Sequence, residues 1–407
     1  MAQIINPSHS SKGLLFVLSR VFDRAGFYGL RSLIVIYMIS GTMNIPQDKA
    51  YYIYSLIGIG LGFSQVIGAL FGDLLLGNKK TALIGCIMQA IGAFTLCIPS
   101  IEGLYTGLAL IILGGGLYTP NIYAGFGKQY LDRTKLLDAG YTFFYMGVNI
   151  GALLGPVFIG YFGSIDYMVG FILSGVVMLF SCIPLIFTKD VEIEKIKVVE
   201  GPIKKKYSVL AIIVTVITIY WLLYELVSFR IFEILQQINP ADILNLPVSF
   251  LQSINLLFLF PFGVVAIVYW TYRYSSSLKK LTIGLLFSTL ACIFLLLVPS
   301  GATSSPVFTY LFYILLMTIS EVFISPVLSS AVVKYGHPKY LTILFSLVFL
   351  PFKLVTWLMP LIGESFMENS LLGVEISFVV SILFTVGLFL FIRKSDALLS
   401  NGNTVKV

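Results

Sequence analysis

Charge is what this chain has least of. Only 11% of its 407 residues are Asp, Glu, Lys or Arg, where a soluble domain carries about 25%. Histidine is nearly missing: His9 and His337 are the only two, both in polar segments, which excludes a histidine-based metal centre. The four cysteines, Cys86, Cys97, Cys182 and Cys292, all fall within apolar runs. They read as small core residues and exclude a disulfide framework. No nucleophile motif and no phosphate-cradling glycine loop stands out, so the chain is not read as an enzyme and no catalytic residue, metal or cofactor is expected. Gly114, Gly115 and Gly116 lie inside an apolar run, where small residues let helices approach closely.

What remains is hydrophobic: 58% of residues are apolar and the mean hydropathy is +0.96. Runs long enough to cross a bilayer, which takes about 20 mostly apolar residues, recur near 14–39, 51–71, 81–98, 104–125, 138–163 and 166–187. They resume at 207–234, 248–271, 281–298, 306–332, 340–364 and 371–392. This predicts an all-α membrane protein with twelve transmembrane helices, its partner being the lipid bilayer. The net charge of +7 does not imply nucleic acid, because the basic residues sit in alternate short connections. Lys12, Lys79, Lys80, Lys128, Arg133, Lys135, Arg273, Lys279, Lys280, Lys334, Lys339, Arg393 and Lys394 share one side, and the other side has Lys49. By the positive-inside rule both termini are cytoplasmic. The polar N-terminus is followed by no small-residue cleavage site, so the first run is read as a retained helix. A charged linker, 188–206, divides the runs six and six. The expected domains are a bundle over 1–187, the cytoplasmic linker 188–206 and a bundle over 207–407. This plan resembles the major facilitator fold, in which substrate sits near the membrane midplane between the halves.

The first run is unusual in carrying Arg20, Asp23, Arg24 and Arg31. At about 100° per residue the three arginines fall within about 40° of one another, with Asp23 to one side and Tyr28 to the other. Such a face belongs in a bundle interior or a wet cavity, since lipid exposure costs several kcal/mol per group. An interior salt bridge of Asp23 with Arg20 or Arg24 accounts for part of the charge and leaves a positive surplus. Arg24 and Arg31, with Tyr28, suit a carboxylate, which guanidinium groups grip bidentately. In the second half Glu225 and Glu321 lie well inside their runs and suit an ammonium. Lys353, inside the eleventh run, is read as a structural or gating charge that neutralises one of these glutamates. Arg230 and Glu233, three apart, are read as a local pair.

Several stretches, taken together, resemble the proton-dependent oligopeptide transporter family (POT, also PTR) of the major facilitator superfamily. Asp23-Arg24-Ala-Gly-Phe-Tyr28-Gly-Leu-Arg31 is similar to its E-R-F-x-Y-Y-G-x-R, and Gly72-Asp73 through Lys80 to its second loop. Gly114 through Pro120-Asn121 is similar to G-x-G-x-F-K-P-N, and Phe144-Tyr145-Met-Gly-Val-Asn149-Ile-Gly151 to F-Y-x-x-I-N-x-G. Tyr220-Trp221 through Glu225 resembles F-W-x-x-x-E, Gln252-Ser253-Ile-Asn255 resembles Q-S-x-N, and Glu321 through Ser325-Pro326 resembles E-x-x-x-S-P. The resemblance runs in order from about 14 to 350. It implies import of di- and tripeptides with protons, by alternating access around a central bipolar cavity, in a bacterial plasma (inner) membrane and as a monomer. Its substrate-binding residues here are Arg24, Tyr28, Arg31, Tyr118, Asn149, Asn255 and Glu321, with Gln252 in support and Tyr118 and Tyr145 lining side-chain pockets. Its proton-coupling residues are Asp23, Glu225 and Glu321. Arg20, Asp73 and Lys353 are structural or gating.

The departures from the family's pattern fall on coupling. Arg20 stands where the family has a glutamate, Asp23 is a shortened acid, Thr119 replaces a lysine, and Phe345 stands for a tryptophan. Arg20, one turn from Asp23, favours the ionised aspartate, so Asp23 is a poor proton carrier and coupling is assigned mainly to Glu225. Two alternatives stay open. One is an uncoupled facilitator or a transporter of another small zwitterion or anion; the other is a non-transporting sensor or assembly partner.

Overall fold

The computed structural model describes residues 9–191, 203–238, 248–298 and 306–400. Most of the 188–206 linker therefore lies outside the described residues. Everything described is helix, turn or short connection. The long helices are α1 (Ser11–Ile39), α2 (Gln47–Leu70), α3 (Asn78–Thr95), α4 (Ile101–Lys128), α5 (Leu137–Leu154) and α6 (Tyr167–Phe180). They continue as α7 (Ile203–Gln237), α8 (Val248–Tyr272), α9 (Ser277–Leu296), α10 (Val307–Tyr335), α11 (Leu341–Glu368) and α12 (Ser370–Ser400). Ten helical segments among the described residues are long and apolar enough to cross a membrane. Those segments leave out α1 and α3, and composition explains why. Helix α1 carries five charged side chains, Lys12, Arg20, Asp23, Arg24 and Arg31, and α3, only 18 residues long, opens on Asn78-Lys79-Lys80.

Local chemistry sets the helix ends. Ser100 begins α4 and accepts from the Gly103 amide at 2.9 Å, while Asp166 begins α6 and accepts from the Met168 amide at 2.8 Å. Such caps satisfy amides that lack an intrahelical partner. Helix α2 runs on through a π-helical turn, Phe71–Leu76, before Gly77. The stretch from Gly72 that resembles the family's second loop is thus helical up to Leu76. The reversal falls at Gly77, whose φ of +81° suits a residue without Cβ. Just before α1, the Tyr130 hydroxyl lies 3.3 Å from Nδ1 of His9. Burial pushes the Tyr130 phenol up to about 12, so it remains a donor. Burial, reinforced by the Arg133 charge, holds His9 below its ordinary value and favours the neutral ring that accepts from it.

The chain forms two compact units. The first comprises Met1–Tyr207 with Val332–Trp357, the second Ser208–Ala331 with Leu358–Val407. In the first, Leu30, Leu33, Ile34 and Met38 of α1 pack with Ile53 and Ile57 of α2, Leu108 and Ile111 of α4 and Phe171 of α6. Helices α3 and α4 meet backbone to backbone. A Cβ on Gly85 would stand 2.6 Å from the Gly114 carbonyl oxygen, and one on Gly114 would stand 2.7 Å from the Gln89 nitrogen. The glycine run of α4 is therefore a packing seam, as its small residues imply. In the second unit, Ser320 of α10 donates to the Gly284 carbonyl of α9 at 2.7 Å, and Ser377 of α12 donates to the Leu223 carbonyl of α7 at 3.2 Å. Arg230, wholly buried, holds Glu233 at 2.7 Å and donates to the Val298 carbonyl, while Ser370 donates to Glu233. The local pair expected there is present. Large apolar side chains such as Leu75, Phe158, Val265, Phe308 and Phe389 are exposed on the helices, a surface that suits lipid and not water. The protein is a multi-pass membrane protein.

Candidate functional site

The charged face of α1 is assembled around Asp23, which is fully buried. Its Oδ2 accepts from Arg20 at 3.1 Å and from Arg24 at 2.8 Å, and its Oδ1 accepts from the Gln89 amide of α3 at 3.0 Å. A carboxylate sealed from water needs such partners to stay charged. Arg20 reaches across to α4, where its guanidinium donates to the Thr119 hydroxyl at 3.3 Å and lies over the Tyr118 and Tyr123 rings at 5.6 and 5.3 Å. The two departures from the family pattern are thus joined in space, because the cation absent at 119 is supplied to the same spot from 20. Burial falls along the helix: Arg20 is buried, Arg24 half-buried and Arg31 exposed. Arg24 stacks over Phe27 at 4.9 Å and Tyr28 at 5.8 Å; Arg31 lies over Tyr28 at 5.9 Å and Tyr54 of α2 at 5.2 Å, and donates to the Tyr54 hydroxyl. Aromatic faces hold a guanidinium without neutralising it. Arg24 and Arg31 are therefore oriented cations with capacity for an anion.

A second polar cluster surrounds Asp73. Its carboxylate accepts from the Thr342 hydroxyl at 2.6 Å and the Ile343 amide at 2.9 Å, both in the first turn of α11, and pairs with Lys128 at 3.7 Å. A carboxylate against a helix N-terminus is stabilised by the unpaired amides there. Asn78 links the pieces, accepting from Lys128 at 2.6 Å and donating to Asn121 at 2.7 Å and to Thr342 at 2.6 Å. Nearby in sequence, Lys334 grips both oxygens of Asp138 at 2.9 and 2.8 Å, and both side chains are buried.

In the second unit, Glu321 of α10 is buried and accepts from the Asn255 side-chain amide nitrogen of α8 at 3.3 Å, while Thr318 donates to the Asn255 side-chain amide oxygen at 2.8 Å. Glu321 and Asn255, expected to act on one ligand, are thus brought together. Glu225 is half-buried on α7, and the side chain of Gln252 lies outside the described residues. Asn149 donates to the Tyr145 carbonyl of its own helix at 2.9 Å and leaves its amide oxygen uncommitted by that bond. Tyr118, expected to line a side-chain pocket, is instead wholly enclosed, its hydroxyl 2.8 Å from the Ser19 hydroxyl. With no exposed surface it is a packing residue between α1 and α4. Phe345 is likewise fully buried, its ring 5.5 Å from Tyr123. Lys353 is half-buried, its nitrogen 5.6 Å from the Phe352 ring centre, and it makes no ion pair with the described residues of its unit.

Sequence reasoning missed Gln89, Tyr54, Thr318, Asn78, Asn121, Thr342 and the Asp138–Lys334 pair. Gln89 and Asn121 had a signal, since an amide inside an apolar run needs a partner. Tyr54 had none, being one of 23 tyrosines.

The model of the Major Facilitator Superfamily matches residues 16–350. A di-/tripeptide transporter of Lactococcus lactis subsp. lactis (strain IL1403) is 26% identical over 279 residues, 65% of this chain and 53% of that protein. The peptide transporter YePEPT of Yersinia enterocolitica is 26% identical over 262 residues, 60% of this chain and 50% of that protein. The chain thus spans about half the length of the curated relatives it matches. Among solved structures, a POT family transporter in complex with a thioalcohol-conjugated peptide superposes with a TM-score of 0.65 at 21% identity, over 94% of this chain and 96% of that one. A peptide transporter POT in complex with sulfate gives 0.61 at 21% identity, over 95% of each chain. The superfamily match spans most of the chain, the peptide-transporter relatives and the POT-family structural neighbours are similar to it, and the chain belongs to the major facilitator superfamily.

Proposed function

We propose that the protein is a secondary active transporter that imports di- and tripeptides. Twelve transmembrane helices in two six-helix bundles, with both termini cytoplasmic, would work by alternating access in the inner membrane of a bacterium, as a monomer. The observation that carries this reading is the division of labour on α1. Asp23 is taken up by Arg20 and Arg24, while Arg31 and the outer side of Arg24 are held only by aromatic rings and a hydroxyl. That is a carboxylate receptor on the first unit. The second unit supplies the complementary receptor for an ammonium in Glu321, oriented by Asn255 and Thr318. A zwitterion carries one group for each receptor. What is known of the relatives supports the reading, as a Lactococcus lactis relative is a di-/tripeptide transporter and a structural neighbour holds a conjugated peptide.

Proton coupling in this reading runs through Glu225 and Glu321, because Asp23 is committed to two guanidinium groups. Replacing Glu225 with Gln should abolish gradient-driven uptake and spare counterflow; unchanged concentrative uptake would remove Glu225 from the coupling path. One observation favours a second reading, an uncoupled facilitator: Arg20 and Thr119 occupy one contact with no titratable acid added. Purified protein in liposomes separates the two. Labelled di-alanine is supplied outside, with either unlabelled di-alanine inside or an imposed inward proton gradient. Counterflow with accumulation supports the symporter, and counterflow alone supports the facilitator. Silence in both from folded protein overturns peptide transport and favours another solute or a non-transporting role.

A further inference from the structure

A cavity of about 530 Å³ lies where α1 begins and α4 ends. Every residue that lines it belongs to the first unit. Its volume falls in the range of small-ligand sites, about 300–1,000 Å³. Most such sites are largely apolar, whereas this one is rich in hydrogen-bond donors. Ser10, Ser11 and Lys12 line it from α1, and Lys128 and Arg133 line it from the end of α4 and the connection beyond. The apolar run of α1 starts only at Leu14. The cavity therefore sits at the helix ends, at the level of lipid headgroups and not within the hydrocarbon.

The start of α1 runs against the usual chemistry of a helix N-terminus. First-turn amides carry partial positive charge and are normally met by a capping oxygen or an acid. Here Ser10 makes no side-chain cap, the first turn holds no acid, and Lys12 adds a full positive charge to it. That arrangement is unfavourable by itself and becomes favourable when an anion sits against the turn. Arg133 borders the same space. Its Nε lies 3.2 Å from Asp132, which also lines the cavity, and both side chains of that pair are exposed. Solvent screens such a pair, and a guanidinium has five N–H donors, more than one carboxylate takes up. Lys128 is buried at the back of the cavity, its ammonium held by Asn78 at 2.6 Å and Asp73 at 3.7 Å. It joins the cavity to the polar cluster at the start of α11. A planar guanidinium, a lysine on an exposed stem and first-turn amides together make a donor set for phosphate.

We propose that this cavity binds a phosphate group carried on a small polar body, with Lys12, Arg133 and the first-turn amides of α1 as its direct contacts. A free phosphate ester and the headgroup of an anionic phospholipid offer the same chemistry, and basic pockets at helix ends take such headgroups. The site goes beyond the transport reading and does not depend on it.

Two probes test it on the purified full chain. Glycerol 3-phosphate is measured by equilibrium dialysis, and phosphatidylglycerol by native mass spectrometry from mixed micelles with phosphatidylcholine. The variants are Lys12→Gln, Arg133→Gln and, as a control for diffuse charge, Lys339→Gln, each shown to be monodisperse. The expected result is saturable binding of at least one probe, weakened at least about tenfold in Lys12→Gln and in Arg133→Gln, as loss of a charged hydrogen bond implies, and kept in Lys339→Gln. Glycerol 3-phosphate binding with this pattern makes a free ester a ligand; phosphatidylglycerol binding alone with this pattern makes the ligand a lipid headgroup. An equal loss in Lys339→Gln reports attraction to the basic face as a whole and overturns the proposal. Binding that survives in Lys12→Gln or in Arg133→Gln overturns it too, as does failure of both probes to bind folded wild-type protein.

Discussion

Replacing Asp23 with Asn keeps the shape of the side chain and removes its charge. In the native protein this carboxylate is sealed from solvent and accepts from Arg20 at 3.1 Å, Arg24 at 2.8 Å and Gln89 at 3.0 Å. The substitution leaves the buried Arg20 guanidinium with no anion, its remaining hydrogen-bond acceptor being the Thr119 hydroxyl. Breaking a buried ion pair from one side costs about 3–5 kcal/mol. The cost is not doubled for Arg24, whose side chain is 12% exposed and keeps some solvent. Arg20→Met behaves differently. It removes a guanidinium whose Nε has no partner and leaves Asp23 with Arg24 and Gln89, so its cost is about 1 kcal/mol, the worth of a typical hydrogen bond. The double variant Arg20→Met with Asp23→Asn should recover part of the Asp23→Asn loss, since the stranded cation goes with it. Unfolding by SDS titration in mixed micelles, followed by far-ultraviolet circular dichroism, measures all three. A cost below about 1 kcal/mol for Asp23→Asn, or a larger cost for Arg20→Met than for Asp23→Asn, would refute this account of a buried pair.

Other parts of the molecule give independent outcomes. Asp138→Ala removes the carboxylate that holds the buried Lys334 ammonium with both oxygens and should cost about 3–5 kcal/mol in the same titration; adding Lys334→Met should restore most of it, and failure of that rescue would show that the pair itself is not the source. Gly114→Ala puts a methyl 2.7 Å from the Gln89 nitrogen and the Gly85 oxygen, so α3 and α4 must separate, at about 1–3 kcal/mol; a neutral result would mean the seam is slack. The His9–Tyr130 contact should be pH-dependent. Because His9 is held below its ordinary value, near 6.5 in an unfolded chain, protonation favours the open state. The contact is intact above about pH 6.5 and weakens as pH falls below that. The protection factor of the amides in the first turn of α1, with the intrinsic pH dependence of exchange divided out, should fall from about pH 7 to 5, and a flat protection profile would contradict the sign.

The sequence made the helices legible because hydrocarbon demands long apolar runs, and those runs are visible without any tertiary knowledge. It also made the Asp23 pairs and the Arg230–Glu233 pair legible, since residues at these spacings meet on one helix wherever it is buried. The Glu321–Asn255 contact was anticipated only as shared chemistry, through resemblance. What stayed hidden is what a chain must fold to create. Gln89 meets Asp23 across 66 residues, and Thr342 meets Asp73 across 269; neither separation carries a periodic signal. Tyr118 was misread because a tyrosine in a motif has the same letter whether its ring faces a cavity or a neighbouring helix, and the Ser19 hydroxyl decides which.

The contact between Arg20 and Thr119 also bears on the routes by which this chain can change. A lysine introduced at 119 would meet a guanidinium 3.3 Å from the present hydroxyl, and a glutamate introduced at 20 would lose its cation while crowding Asp23 one turn away. Each step toward the family's arrangement is disfavoured when taken alone, by repulsion between cations in one case and between acids in the other. Only the paired exchange keeps opposite charges facing each other. The contact therefore couples the two positions: a change at either one alone sets like charges together, and only a paired change avoids it.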